Sequence, residues 1–124
     1  MEDKFVILAV DDSAANLQLI HGVLKDEYNL RLAKSGKLAL VALTKFCPDI
    51  ILMDIEMPEL SGFEVMDEIR KKPDLVNIPV IFISSHVDGE YIEKAAEYGP
   101  SDYITKPFEP GDLRSKIQEV LTKF

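Results

Sequence analysis

Two short runs, "DIILM" at 49–53 and "PVIFI" at 79–83, are apolar at almost every position. A strand with one wet face alternates apolar and polar residues, so continuous runs of this length suit parallel strands covered by helices on both sides. Three further runs have strand length: Phe5–Val10, Leu30–Ala33 and Ser101–Ile104. Amphipathic segments of helical length separate all five. The pattern is βα repeated five times, and short connections between parallel strands require right-handed crossovers. The chain therefore reads as α/β, a doubly wound five-stranded sheet with five helices on two faces.

Helix boundaries are legible from capping residues. Ser13 precedes Ala14–Lys25, and Ser35 precedes a second helix ending near Phe46. Ser61 with Glu64 forms a capping-box pattern for the third. Asp88 opens a fourth that stops at Gly99, and Pro110 suits the first turn of the last. Leu113, Ile117, Val120, Leu121 and Phe124 make one apolar stripe along that final helix. An apolar end without a glycine cap suggests a segment cut from a longer protein.

Composition narrows the function. A formal charge of −8 over 124 residues opposes a direct nucleic-acid surface, which needs a basic stripe. No apolar run approaches the ~20 residues of a membrane span, and the acidic start "MEDKF" lacks a signal-peptide core, so a cytoplasmic location is expected. The single Cys47 has no internal partner and reads as a small buried hydrophobe beside Pro48.

In an open α/β sheet, ligands gather at the carboxyl ends of the strands. Strand one ends at Asp11 and Asp12, strand three at Asp54, strand four at Ser84, and strand five just before Lys106. Taken singly, each is an ordinary turn, cap or surface residue. Together they place three carboxylates, a hydroxyl and an amine at one end of the sheet. Two carboxylates about 4 Å apart repel by roughly 4 kcal/mol at an effective dielectric of 20. A hard divalent cation such as Mg²⁺ relieves that repulsion and accepts phosphate oxygens as further ligands.

The stretches "VDDS", "LMDIEMPELSGFEV", "PVIFISS" and "DYITKPF" resemble the receiver domain of two-component response regulators. The resemblance spans essentially the whole chain, read as one receiver domain over 1–124. It implies the flavodoxin-like strand order 2-1-3-4-5 found in chemotaxis members of the family. It also implies that Asp54 accepts a phosphoryl group and that Asp12 and Asp54 bind Mg²⁺ (or Mn²⁺) directly. Asp11 would act through water, with the backbone carbonyl of Glu56 as a further ligand. Lys106 and Ser84 would contact phosphoryl oxygens, Tyr103 would change rotamer with phosphorylation, and the bond before Pro107 would be cis.

The implied donor is a sensor histidine kinase or a histidine phosphotransfer domain. A downstream output partner and a phosphorylation-driven homodimer also belong to the family's repertoire. On the first helix, Leu17, Ile20 and Leu24 form one apolar face. Ala15, Leu19, Gly22 and Val23 form a second, and the family docks its phosphodonors in this region.

Some positions depart from the family pattern. Glu56 is longer and more acidic than many residues found there, and is expected to affect phosphoryl lifetime. Ser85 stands where Ala is common, and Ser61 replaces a common Asp. His86 reads as a loop residue and His21 as a helix residue.

The strongest rival is a phosphatase of the haloacid-dehalogenase type with Asp54 as nucleophile. Against it, the second acid of its DxD motif is Glu56 here, and the acidic pair precedes the lysine in the chain. There is also no room for a substrate cap. A flavin-binding module shares the strand order, but its anionic phosphate would meet Asp11 and Asp12.

Overall fold

In the computed structural model, residues 4–123 are described. Five parallel strands, β1 (Val6–Val10), β2 (Asn29–Ala33), β3 (Ile50–Asp54), β4 (Val80–Ser84) and β5 (Asp102–Thr105), alternate with five helices. These are α1 (Ala14–Leu24), α2 (Gly36–Ala42), α3 (Gly62–Arg70), α4 (Gly89–Ala96) and α5 (Pro110–Leu121). The sheet runs β2-β1-β3-β4-β5, the order expected from the resemblance.

Strand alternation divides the core in two. Leu8, Val10, Ile51, Met53, Val80 and Phe82 point to the face covered by α2, α3 and α4. Ile7, Ala9, Ile50, Leu52, Ile81 and Ile83 point to the face covered by α1 and α5. All five residues of β3 and of β4 are buried, which explains why those two segments carry no polar alternation. Each fully buried aliphatic side chain contributes roughly 1.5–3 kcal/mol of transfer free energy.

Caps fall where the sequence places them. Ser13, Ser35 and Asp88 accept from Asn16, Leu38 and Tyr91 backbone N–H groups. Ser61 and Glu64 complete a reciprocal capping box. Gly99 has φ +74, a conformation in which a side chain is strained. Leu113, Ile117, Val120 and Leu121 are buried as one stripe, while Phe124 lies outside the described residues.

Several boundaries differ from the sequence reading. Strands β3, β4 and β5 each begin and end one residue later, so Asp54, Ser84 and Thr105 belong to the ladder. Apolarity sets the expected ends, whereas backbone pairing continues through a polar last residue. Helix α2 stops at Ala42 rather than near Phe46, and the Thr44 hydroxyl donates to the Val41 carbonyl at 2.6 Å. Such local side-chain bonds compete with helix continuation. Cys47 is exposed rather than buried; it is Pro48 beside it that enters the interior.

Candidate functional site

The order 2-1-3-4-5 puts β1 and β3 side by side at the switch point, so Asp11 and Asp54 leave the sheet together. Asp11 and Asp54 are each 1% exposed. Asp12 is exposed, and one carboxylate oxygen from each of the three lies within 4.8 Å of the others. Hard oxygen donors with one open side fit Mg²⁺ or Mn²⁺ by donor chemistry.

A cation already stands among these acids. Lys106 Nζ lies 3.0 Å from Asp54 Oδ1 and 3.1 Å from Asp11 Oδ2. Lys106 follows β5, the far edge of the sheet from β2, and the peptide joining it to Pro107 is cis. Asp11 is further held by the Ser13 N–H at 2.9 Å and the Asn16 side-chain amide at 3.3 Å. The start of α1 thus orients the first acid.

Burial raises the Asp54 carboxyl, and the charge of Asp11 raises it further. The hydrogen bond and charge of Lys106 oppose this, Glu56 adds to it, and the result is a pKa of about 7. For Lys106, burial lowers the pKa. The hydrogen bonds and charges of Asp54 and Asp11 outweigh that and hold it above its ordinary value.

The loop after Asp54 is pinned by close backbone packing. Gly62 N–H donates to the Ile55 carbonyl at 2.8 Å. A Cβ at Gly62 would lie 2.5 Å from the Asp54 carbonyl oxygen and 2.8 Å from Ile55 Cα. Only glycine lets α3 start this near the end of β3.

Beyond the acids lies a second group. Ser84, fully buried, donates its hydroxyl to the Glu56 carboxylate, whose oxygens are 2.9 and 2.8 Å away. Tyr91 of α4 donates to the same carboxylate. The His86 N–H donates to Ser84 Oγ at 3.1 Å, and Tyr103 donates to the His86 carbonyl at 2.9 Å. The His86 ring stacks on Tyr91 with centroids 4.0 Å apart. The Tyr91 and Tyr103 hydroxyls are both raised above the ordinary phenol value, first by burial; the carboxylate of Glu56 contributes to each.

Asp11, Asp12, Asp54 and Lys106 are thus brought together, with Ser84, Glu56 and Tyr103 beside them. Ser85 and His86 face solvent. On α1, Leu17, Ile20 and Leu24 are buried, whereas Ala15, Leu19, Gly22 and His21 are exposed and Val23 is half-buried against the core. Sequence reasoning missed Asn16 and Tyr91. Asn16 sits three residues after a Ser cap, a position from which a side chain can reach back over the helix start. Tyr91 carries no local signal at all.

Residues 7–118 match the family model described as the response regulator receiver domain. The chain belongs to that family. A probable cyclic di-GMP phosphodiesterase of Vibrio cholerae is 39% identical to this receiver over 119 residues, covering 94% of the chain and 27% of that relative. The chemotaxis protein CheY4 of Vibrio cholerae superposes with a TM-score of 0.89 at 29% identity, covering 94% of this chain and 98% of that one.

The receiver domain of the sensor histidine kinase PA1611 of Pseudomonas aeruginosa superposes with a TM-score of 0.87 at 28% identity. There the coverage is 95% and 98%, and that structure has a magnesium ion coordinated in its active-site cleft. Receivers of this family therefore occur both in histidine kinases and in proteins with other outputs. The chain spans between 9% and 49% of the length of eight of the curated relatives it matches. Among the described residues, no helix is long and apolar enough to cross a membrane.

Proposed function

We propose that this receiver accepts a phosphoryl group on Asp54 from a phosphohistidine of a histidine kinase or phosphotransfer domain. The supporting observation is the position of Asp54 Oδ1, 3.0 Å from Lys106 Nζ and beside Asp11 and Asp12. An Asp54 carboxylate oxygen bonds to phosphorus, the P–N bond of the donor breaks, and the imidazole leaves with the electron pair and takes up a proton. Lys106 neutralises charge on the transferring oxygens and keeps its proton, since its neighbours raise its pKa.

Mg²⁺ (or Mn²⁺) held by Asp11, Asp12, Asp54 and the Glu56 carbonyl supplies further charge neutralisation when bound. The product is an acyl phosphate, which water later hydrolyses to restore the carboxylate and release inorganic phosphate. The only turnover expected of the chain is this slow self-dephosphorylation.

The new charge is then read out through Ser84 and Tyr103. Ser84 turns its single proton to a phosphoryl oxygen, and Tyr103 repacks against the space this leaves, altering the α4–β5–α5 face. The exposed Ala15, Leu19 and Gly22, with half-buried Val23, form the docking face for the donor's helices. An output partner or a second copy of the chain is served by the α4–β5–α5 face.

Incubation with Mg²⁺ and a small phosphodonor, followed by intact mass measurement, tests the central step. One added phosphoryl group, absent in Asp54→Asn, is the expected result. Repeated turnover of phosphate monoesters, without a phosphorylated chain, would favour a phosphatase instead.

A further inference from the structure

Glu56 lies two residues after the phosphoacceptor, yet its carboxylate turns away from the acidic cluster. It takes the hydroxyl of Ser84, at the end of β4, and the hydroxyl of Tyr91, on α4. Tyr91 in turn stacks on His86, whose backbone carries Ser84 on its N–H and Tyr103 on its carbonyl. One side chain of the β3–α3 loop therefore ties down the three elements that a switch must move: the tip of β4, the β4–α4 loop and α4. Ala95 is the one buried residue of α4, and the helix also packs on the Phe63 ring, with the Tyr91 ring centroid at 5.8 Å and Lys94 Nζ at 5.3 Å.

We infer that Glu56 is a resident anion that latches this domain in its unphosphorylated conformation. The inference rests on Asp54 being the phosphoacceptor. Ser84 has one hydroxyl proton and, with Glu56 in place, donates it to that carboxylate rather than to a phosphoryl oxygen. Phosphorylation replaces the single charge of the Asp54 carboxylate with a phosphoryl group carrying roughly −1.5 to −2, two residues from Glu56. Repulsion displaces the carboxylate, Ser84 changes acceptor, and Tyr91 loses its partner at the same moment. Release of α4 is thereby coupled to loss of the Ser84–Glu56 bond. The free energy of the latch opposes the active state and lowers the apparent affinity for anything that selects that state. Glu56 touches no reacting atom through its side chain; it is a positioning residue.

The test uses Glu56→Ala, which removes the anion, and Tyr91→Phe, which removes only the tie to α4. In metal-free buffer, hydrogen exchange of the α4 amides should quicken by about threefold to tenfold in both variants, with α1 amides unchanged. That scale suits a hydrogen bond to a partly exposed charge. With Mg²⁺ saturating, beryllofluoride should bind Glu56→Ala more tightly by about the same factor, and Tyr91→Phe more tightly by less. Unchanged α4 exchange in both variants, or beryllofluoride binding to Glu56→Ala no tighter than to wild type, overturns the latch. Failure of every protein, wild type included, to bind beryllofluoride overturns the phosphoacceptor reading instead, and the exchange result alone then judges the tie.

Discussion

Replacing Asp54 with Asn should make the metal-free domain more stable, and the gain should grow with pH. Burial, Asp11 and Glu56 together push the Asp54 carboxyl from 3.8 to about 7 despite Lys106. A carboxyl whose folded pKa exceeds its unfolded value costs stability in its ionised form. That cost is absent below the unfolded pKa, rises between about pH 4 and 7, and is constant above. A shift of roughly three units corresponds to about 4 kcal/mol at 1.36 kcal/mol per unit. The substitution also removes the contact with Lys106, which keeps Asp11 at 3.1 Å, so a net gain of about 2–4 kcal/mol is expected at pH ~8.

Urea unfolding of both proteins in a chelator, at about pH 5 and pH 8, measures it. The midpoint should rise by roughly 1–2 M at the higher pH and by much less at the lower. Adding Mg²⁺ should narrow the gap, because the cation stabilises the wild type more. A variant no more stable than wild type at pH ~8, or a gain equal at both pH values, would refute the electrostatic account of the site.

Other substitutions probe separate parts of the design. Gly62→Ala drives a Cβ into the backbone of Asp54 and Ile55; it should cost about 1–3 kcal/mol in thermal unfolding and slow phosphorylation by small donors. Ser84→Ala should leave the mass gain on Asp54 intact but reduce the shift of the Tyr103 ring resonances on adding beryllofluoride. Equal shifts in both proteins would contradict the readout through Ser84. Leu19→Glu, on the exposed face of α1, should slow transfer from a phosphorylated histidine domain by about tenfold. It should leave reaction with a small phosphodonor unchanged; parallel loss with both donors would place the effect elsewhere.

Much of the molecule is legible in its sequence because periodicity and capping are local. The continuous apolarity of β3 and β4 declares a sheet buried on both faces, and Ser13, Ser35, Ser61 and Asp88 declare where helices begin. Reading off the residue that follows each apolar run is enough to assemble Asp11, Asp12, Asp54, Ser84 and Lys106 at one end. Local signals fail where a choice between neighbours is decided by space. The Thr44 hydroxyl ends α2 early, and the turn that follows leaves Cys47 in solvent while Pro48 goes inside.

What tertiary structure alone decides is which partner each polar group takes. Lys106 and Asp54 are 52 residues apart, and only the sheet order sets the amine between Asp54 and Asp11. Glu56 and Tyr91 are 35 residues apart, and nothing in either neighbourhood announces that a carboxylate beside the acidic cluster will turn to α4. Apolar pattern and helix caps act over a few residues and so survive in the one-dimensional string. The direction of a charged side chain is a balance of repulsion, burial and competing donors brought in from distant segments, and that balance exists only once the chain has folded.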